Sequence, residues 1–558
     1  MISAALPAAL GVALYTLNNL GALHALIAAP EGYVAMGIDR NVDVAQHLTW
    51  IAGFTHRWVL PDYQAAWRTE PALIVPSMLA LAKVSTWGAL NPVVTLEAFA
   101  VLCYVLACYA AAFALRTFCN SRREAFAAII CAFACVPLTS ILQFPEMLLR
   151  RPDWQHYGVY NFLAATDGFM RGPARWPLLT FGAFTVLLAI PLAARYLSTR
   201  DRKWLWFLAG DCFFSALVHP FEIFPILAAT VILLLRYRSP GWRTVLSDLS
   251  AVCTASAAGL AVYIIPTLRY SWIREVNAHN RVSYSPTYLL AYLGIPVIAS
   301  VLLLLLGFPR TTDLNAGVLK VWFAITLLVF YSPKIPWPPH TLDGFCLLAG
   351  LLLVYQLREV RQLWQPSLRV RRLIAVTVTC ALALMIIPHF TFRALAWSGG
   401  VNADGRYPFE PAIALQDEAQ MVEWFRKNVA QDKLVLAPRE QAAWVATAPI
   451  HSFGAHWLFS LLTPAEQQSW DAFYSGRLSH LAASAFLDAY GFSFVVVRPD
   501  SPALQYLGGA NLAASTRNFE IFKLSDAGLK DRTEVNRGVA LVEQLSEVCA
   551  SEPSGATR

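Results

Sequence analysis

YVAMGIDRNVDVAQHLTWIAGFTHRWVLPDYQAAWRTE, residues 33–70, is a polar and aromatic stretch caught between hydrophobic segments, and the rest of the chain is organised around holding it. Asp39 and Asp43 stand at its start, just past the first apolar segment. Val44, Leu48, Ile51 and Phe54 then fall on one helical stripe with His47 nearby, which predicts an amphipathic helix beginning at Val44. A carboxylate pair at a membrane surface offers a general base or oxygen ligands for a metal. It equally offers a turn cap at Asp39 and a helix cap at Asp43.

Composition sets the class. Of 558 residues 57% are hydrophobic and only 14% charged, and mean hydropathy is +0.48, which excludes a soluble protein of this size. The net charge of +7 implies no nucleic-acid partner, because most Lys and Arg sit in short runs between apolar segments, as the positive-inside rule produces. The lipid bilayer is the expected surrounding. Cys103, Cys108, Cys131, Cys135, Cys212, Cys253, Cys346 and Cys380 lie within apolar segments and no C-x-x-C pair occurs, so neither a disulfide framework nor a zinc site is expected.

At about twenty apolar residues per crossing, the chain reads as a polytopic α-helical membrane protein of about 11 spans. Ala5–Ala28, without a basic leader, is the first, a cleaved signal peptide being the alternative. Pro71–Trp87 reads as a juxtamembrane helix on the outer face, and Val93–Leu115 as the second crossing. Clusters around Arg122, Lys203, Arg238 and Arg371 are nearly pure Lys/Arg and mark the cytoplasm, so the N-terminus is expected inside and the C-terminus outside. The outer loops mix signs with aromatics, as in residues 143–176, QFPEMLLRRPDWQHYGVYNFLAATDGFMRGPARW. Mixed signs suggest sites; pure runs suggest topology.

From about Gly399 the composition becomes that of a soluble domain. A helix is expected over Glu418–Val429, and strands over Leu434–Ala437, Phe492–Val497 and Phe519–Leu524. Thr463-Pro464-Ala465-Glu466 supplies an N-cap, a Pro at N1 and a Glu at N3, and a second helix over Leu478–Tyr490 should end at Gly491. The expected organisation is a transmembrane domain, 1–395, whose first outer loop is 31–70, then a small outer α/β domain, 396–526, and a polar, disordered tail, 527–558.

Several short pieces share an order. DVAQHLTWI is followed by TEPALIVP in the opening loop, HPFE stands at His219–Glu222, YSPTYLLAYLG starts at Tyr284, and FLDAYGFSFVVVRP precedes FEIFKL near the end. In this order the chain resembles the GT-C superfamily of integral-membrane glycosyltransferases, bacterial members with a periplasmic C-terminal domain in particular. The resemblance implies transfer of a hexosyl or pentosyl group, with inversion, from a polyprenyl-phosphate sugar to a glycan, lipid or protein acceptor at the outer face of the inner membrane. The spacing here is Asp-x-x-x-Asp, without the adjacent acidic pair of many members. A transporter or flippase of lipid-linked saccharides, or a non-catalytic envelope-assembly protein, would share the helices. A transporter would also be expected to show matching broken-helix halves, and none is seen.

The resemblance assigns the base to Asp43, with Asp39 orienting it or helping to hold a divalent cation; no metal-ligand set is otherwise assigned. Glu70 stands before Pro71 as a helix-start or substrate-binding residue. A departing lipid phosphate needs cations, for which Lys334, Arg150, Arg151 and Arg171 are available, the loop arginines also being able to pair with Asp167 or its neighbours. Lys334 could instead snorkel to the interface. His219 and Glu222 sit at the tip of a membrane hairpin, where ionisable groups are costly; a structural hydrogen bond across the bundle is their other use. Behind them stand His156, His340 and Asp343.

Overall fold

The computed structural model describes residues 5–18, 33–35, 42–63, 71–135, 177–237, 241–281, 286–310, 313–364, 413–455, 460 and 462–524, with scattered positions between 367 and 387. The chain divides into two compact units. One comprises residues 1–25, 97–265 and 277–410, and the other residues 26–96, 266–276 and 411–558.

The first unit is helical. Among the described residues, four helical segments are long and apolar enough to cross a membrane, namely Pro92–Phe118, Pro177–Thr199, Trp242–Arg269 and Pro338–Leu363, and shorter apolar helices include Ile223–Arg236 and Leu314–Phe330. The chain is a multi-pass membrane protein. Pro177–Thr199 is the central helix: nearly every side chain on it is buried, although the sequence offers no polar face to distinguish it from a lipid-exposed span. Trp242–Arg269 is its opposite, with Leu246, Ile264, Ile265 and Leu268 all exposed, as expected of a helix at the edge of the bundle. Trp322, Phe323 and Phe345 are fully buried in the core, and the Phe323 and Phe345 rings stack at 4.9 Å.

Turns between helices follow their caps. Asp201, between Pro177–Thr199 and Arg202–Val218, accepts from the Lys203 N–H at 3.0 Å and pairs with its ammonium at 2.7 Å. Those Lys203 hydrogen bonds hold the exposed Asp201 carboxyl below the usual carboxylate range.

The second unit joins residues far apart in sequence. Strand β1 (Tyr33–Ala35) pairs antiparallel with β2 (Ile413–Leu415). Strands β3 (Leu434–Leu436), β4 (His451–Ser452), β5 (Phe494–Val497), β6 (Asn511–Ser515) and β7 (Glu520–Lys523) form a mixed sheet in the order β4-β3-β5-β7-β6. β3 runs parallel to β4 and β5, while β7 is antiparallel to β5 and β6. The Thr463 capping box is complete in both directions, and the His480–Tyr490 helix stops at Gly491, whose φ of 68° is left-handed. Val42–Phe54, from the opening loop, packs on Arg439–Ala446, and Ser452 donates its backbone N–H to the Tyr63 carbonyl at 3.0 Å.

Three differences from the sequence reading have physical causes. The opening-loop helix starts at Val42, so Asp43 lies inside its first turn rather than before it; the apolar stripe that begins at Val44 marks the packed face of the helix and not its first residue. β4 and β6 were not expected. Two residues are too few for a period, and the NLAAS of β6 is mostly exposed and therefore lacks an apolar face. Lastly, the division cut along the sequence at 395/396 differs from the grouping by contact, because strand pairing and the Val42–Phe54 helix tie described parts of the opening loop to residues beyond 411.

Candidate functional site

Two turns of the helical unit carry the site. The first follows Arg202–Val218, which ends at His219 because Pro220 forces its predecessor out of the helical region: His219 sits at φ −145°, ψ 95°. Glu222 then stands at the N-cap of Ile223–Arg236 without using its side chain as a cap. Pro225, third in that helix, has no N–H for a cap to reach. The Glu222 carboxylate turns to the histidine instead, with Oε1 2.7 Å from His219 Nδ1.

The second turn runs from Trp337 to Gly344. Trp337 is held in the left-handed region at φ 57°, ψ 53°, a cost of about 1–3 kcal/mol that surrounding structure must offset. Pro338 and Pro339 start a short 3-10 turn over Pro338–Leu342, and Gly344, at φ 75°, admits the chain into the Phe345–Leu363 helix. This delivers His340 and Asp343 to the first turn. The His340 ring meets His219 edge-on at 5.1 Å and stacks on Phe221 at 5.0 Å, with Trp337 at 5.9 Å.

Pro177–Thr199 forms the floor under both turns. A Cβ on Gly182 would lie 2.3 Å from Glu222 Oε1 and 2.7 Å from Asp343 Oδ2, so the missing side chain is what lets both carboxylates approach the helix backbone. Glu222 is 0% exposed, Asp343 1% and His219 6%. Ligand atoms of His219, Glu222 and Asp343 all lie within 4.8 Å of one another. Glu222 Oε2 and His340 Nδ1 are buried without a hydrogen-bond partner among the described residues. Such a constellation can exchange protons, hold a cation, or both.

Of the residues singled out in the sequence, His219, Glu222 and His340 are brought together here. Lys334 is exposed, three residues before Trp337, and makes no ion pair among the described residues. Asp43 is in the first turn of Val42–Phe54. Asp39, Glu70, Arg150, Arg151, Asp167 and Arg171 lie outside the described residues, as does His156. Asp343 ranked with His340 behind His219 and Glu222, and Gly182 was not singled out; its one available hint was a glycine within a long apolar span. Asp211 and Asp248 were also passed over. Both are buried single acids in apolar helices, and Asp248 accepts a hydrogen bond from Tyr196.

No protein-family model matches the sequence, and no curated protein matches it either. Solved structures do. An arabinofuranosyltransferase, AftD from Mycobacteria, is 15% identical over 94% of this chain and 40% of its own, with a TM-score of 0.50. The archaeal oligosaccharyltransferase AglB from Archaeoglobus fulgidus, solved with an inhibitory peptide and a dolichol-phosphate, is 11% identical over 88% of this chain and 69% of its own, TM-score 0.46. ArnT from Cupriavidus metallidurans, solved bound to undecaprenyl phosphate, is 13% identical over 88% of this chain and 98% of its own, TM-score 0.43. The fold is of the GT-C type.

Proposed function

We propose that the chain is a membrane glycosyltransferase that moves one sugar from a polyprenyl-phosphate donor to a glycan, lipid or protein acceptor at the outer face of a bacterial inner membrane. The observation that carries this reading is the gathering of His219, Glu222, His340 and Asp343 at two turns of the helical unit. Ionisable groups buried among membrane helices are costly, and a cluster of four favours a functional site over a span or scaffold alone. The fold shared with an arabinofuranosyltransferase supports it, although fold alone does not fix chemistry.

In this reading the acceptor hydroxyl oxygen attacks the anomeric carbon. The bond from that carbon to the phosphate oxygen breaks, the electron pair leaves on the lipid phosphate, and the hydroxyl proton passes to a carboxylate, Asp43, with inversion at carbon. Asp39 orients the base. Lys334, Arg150, Arg151 and Arg171 are the cations offered to the leaving phosphate, and Glu70, Asp167, His219, Glu222 and His340 the groups offered to the sugar or its acceptor. Elements within 413–524 form an outer α/β domain, about eleven helices cross, and the N-terminus is cytoplasmic. The test is transfer by the purified protein from a panel of labelled polyprenyl-phosphate sugars. Movement of intact lipid-linked sugar across a vesicle membrane, with no transfer, would favour a flippase instead.

Two expected results follow from this reading. Lys334→Ala should weaken use of the donor by about tenfold or more, because a charge-assisted phosphate contact is worth roughly 1.5–3 kcal/mol. As Lys334 is exposed and unpaired among the described residues, stability should not change. An unaltered donor KM removes Lys334 from the phosphate site. For topology, Gln468→Cys, on the exposed side of the Pro464–Tyr474 helix, should react with an impermeant maleimide from the outer side of intact spheroplasts. Reaction only after lysis would place this helix in the cytoplasm and end the outer-face reading.

A further inference from the structure

We propose that His219, Glu222 and Asp343 are the ligands of one divalent transition-metal ion, Mn²⁺ or Zn²⁺, bound within the helical unit. The argument begins with burial. Two carboxylates that are 0% and 1% exposed face each other across Gly182, and the only ion-pair partner of Glu222 among the described residues is the His219 ring. Among the described residues the buried Glu222 Oε2 has no hydrogen-bond partner, a cost that a cation removes.

Geometry agrees. One ligand atom from each residue can be chosen so that all three lie within 4.8 Å of one another. The 2.7 Å between His219 Nδ1 and Glu222 Oε1 is a hydrogen bond as it stands. It is about 0.3 Å shorter than the spacing of two ligands at a right angle around a shared ion with bonds of about 2.1 Å, and about 0.7 Å shorter than the tetrahedral spacing. A small outward rotation of the two side chains suffices.

Chemistry selects the metal class. One imidazole nitrogen with two carboxylates is a poorer set for Ca²⁺ or Mg²⁺, which take oxygen alone, and it lacks the thiolate of softer sites. Mn²⁺ and Zn²⁺ accept the mixture. Three protein ligands leave at least one coordination position open, as in metal sites that handle a substrate. The ion would also bind the His219–Glu222 turn to the turn before Phe345–Leu363.

The test needs neither donor nor acceptor, so its failure is separate from failure of the transferase reading. Tag-free protein is stripped with chelator, dialysed against MnCl₂ alone, and measured for bound metal. About one Mn²⁺ per chain is expected, and pulsed electron paramagnetic resonance of the wild-type chain should show ¹⁴N coupling from one imidazole. Glu222→Gln with Asp343→Asn should weaken uptake by at least the roughly 10–100-fold that loss of an outer-shell partner alone costs. Absence of stoichiometric uptake of either Mn²⁺ or Zn²⁺ overturns the proposal. So does bound Mn²⁺ without nitrogen coupling, a result that does not depend on how well any variant folds, and so does undiminished uptake by the double variant.

Discussion

Asp43→Asn is expected to fold and insert normally and to lose sugar transfer by about 10²-fold or more, the usual loss when a positioned general base is removed. The amide keeps the size of the carboxylate and much of its hydrogen bonding but takes no proton. Folding should be spared because the Val42–Phe54 helix is held by its apolar stripe: Ala45, Ile51 and Phe54 are fully buried, and the helix packs on Arg439–Ala446. Placement in the first turn has a second consequence. The N-terminal amides of a helix stabilise a carboxylate's charge, so they lower its basicity, and an acid that works as a base there must have that effect offset by burial or by a neighbouring acid. Asp39 is the neighbour offered by the sequence, and Asp39→Asn should therefore lose less. Single-turnover transfer with saturating donor separates the outcomes. Should Asp39→Asn abolish transfer while Asp43→Asn keeps it, the roles are exchanged. Retention by both variants would leave the enzyme reading without a base and favour a scaffold or a transporter.

Long apolar helices and particular helix caps were legible because they depend on local pattern. Runs of apolar residues, the Thr463 capping box and Gly491 each act within a few positions, and the structure has them where the sequence puts them. The strand pairing of Tyr33–Ala35 with Ile413–Leu415 was not legible, since no local signal in a three-residue strand names a partner some 380 residues away. The site lies between these extremes. The HPFE turn was visible as two ionisable groups beside a helix-breaking proline, and the WPPHTLDG turn as a Pro-Pro step ending in glycine. That the two turns meet depends on which face of Pro177–Thr199 is inward. On a helix that is apolar all round, periodicity carries no answer. Asp343 ranked low for the same reason: its value comes from Glu222, and nothing in either turn announces the other.

Gly182→Ala is expected to lower the stability of the helical unit by about 1–3 kcal/mol, the cost of overpacking a filled core, and to do so against the propensity of the helix. In an open helix position the same change gains up to about 1 kcal/mol, because glycine loses more backbone entropy than alanine. Gly210→Ala supplies that comparison within one chain. Gly210 lies in Arg202–Val218 with none of the described residues within 4 Å of the new Cβ, so this variant should match or slightly exceed the wild type. At Gly182 the new methyl would stand 2.3 Å from Glu222 Oε1, 2.6 Å from its Cδ and 2.7 Å from Asp343 Oδ2, far inside van der Waals contact. A retreat of either carboxylate has to give up a native contact. Glu222 is tied to His219 at 2.7 Å, and Asp343 is fixed between a 3-10 turn and Gly344, which itself packs against Ala183 and Leu187. The midpoint of thermal unfolding in detergent, read for both variants beside the wild type, decides the matter. Equal midpoints for Gly182→Ala and Gly210→Ala would mean that the two turns do not close on this helix, and the buried carboxylate pair would lose its floor.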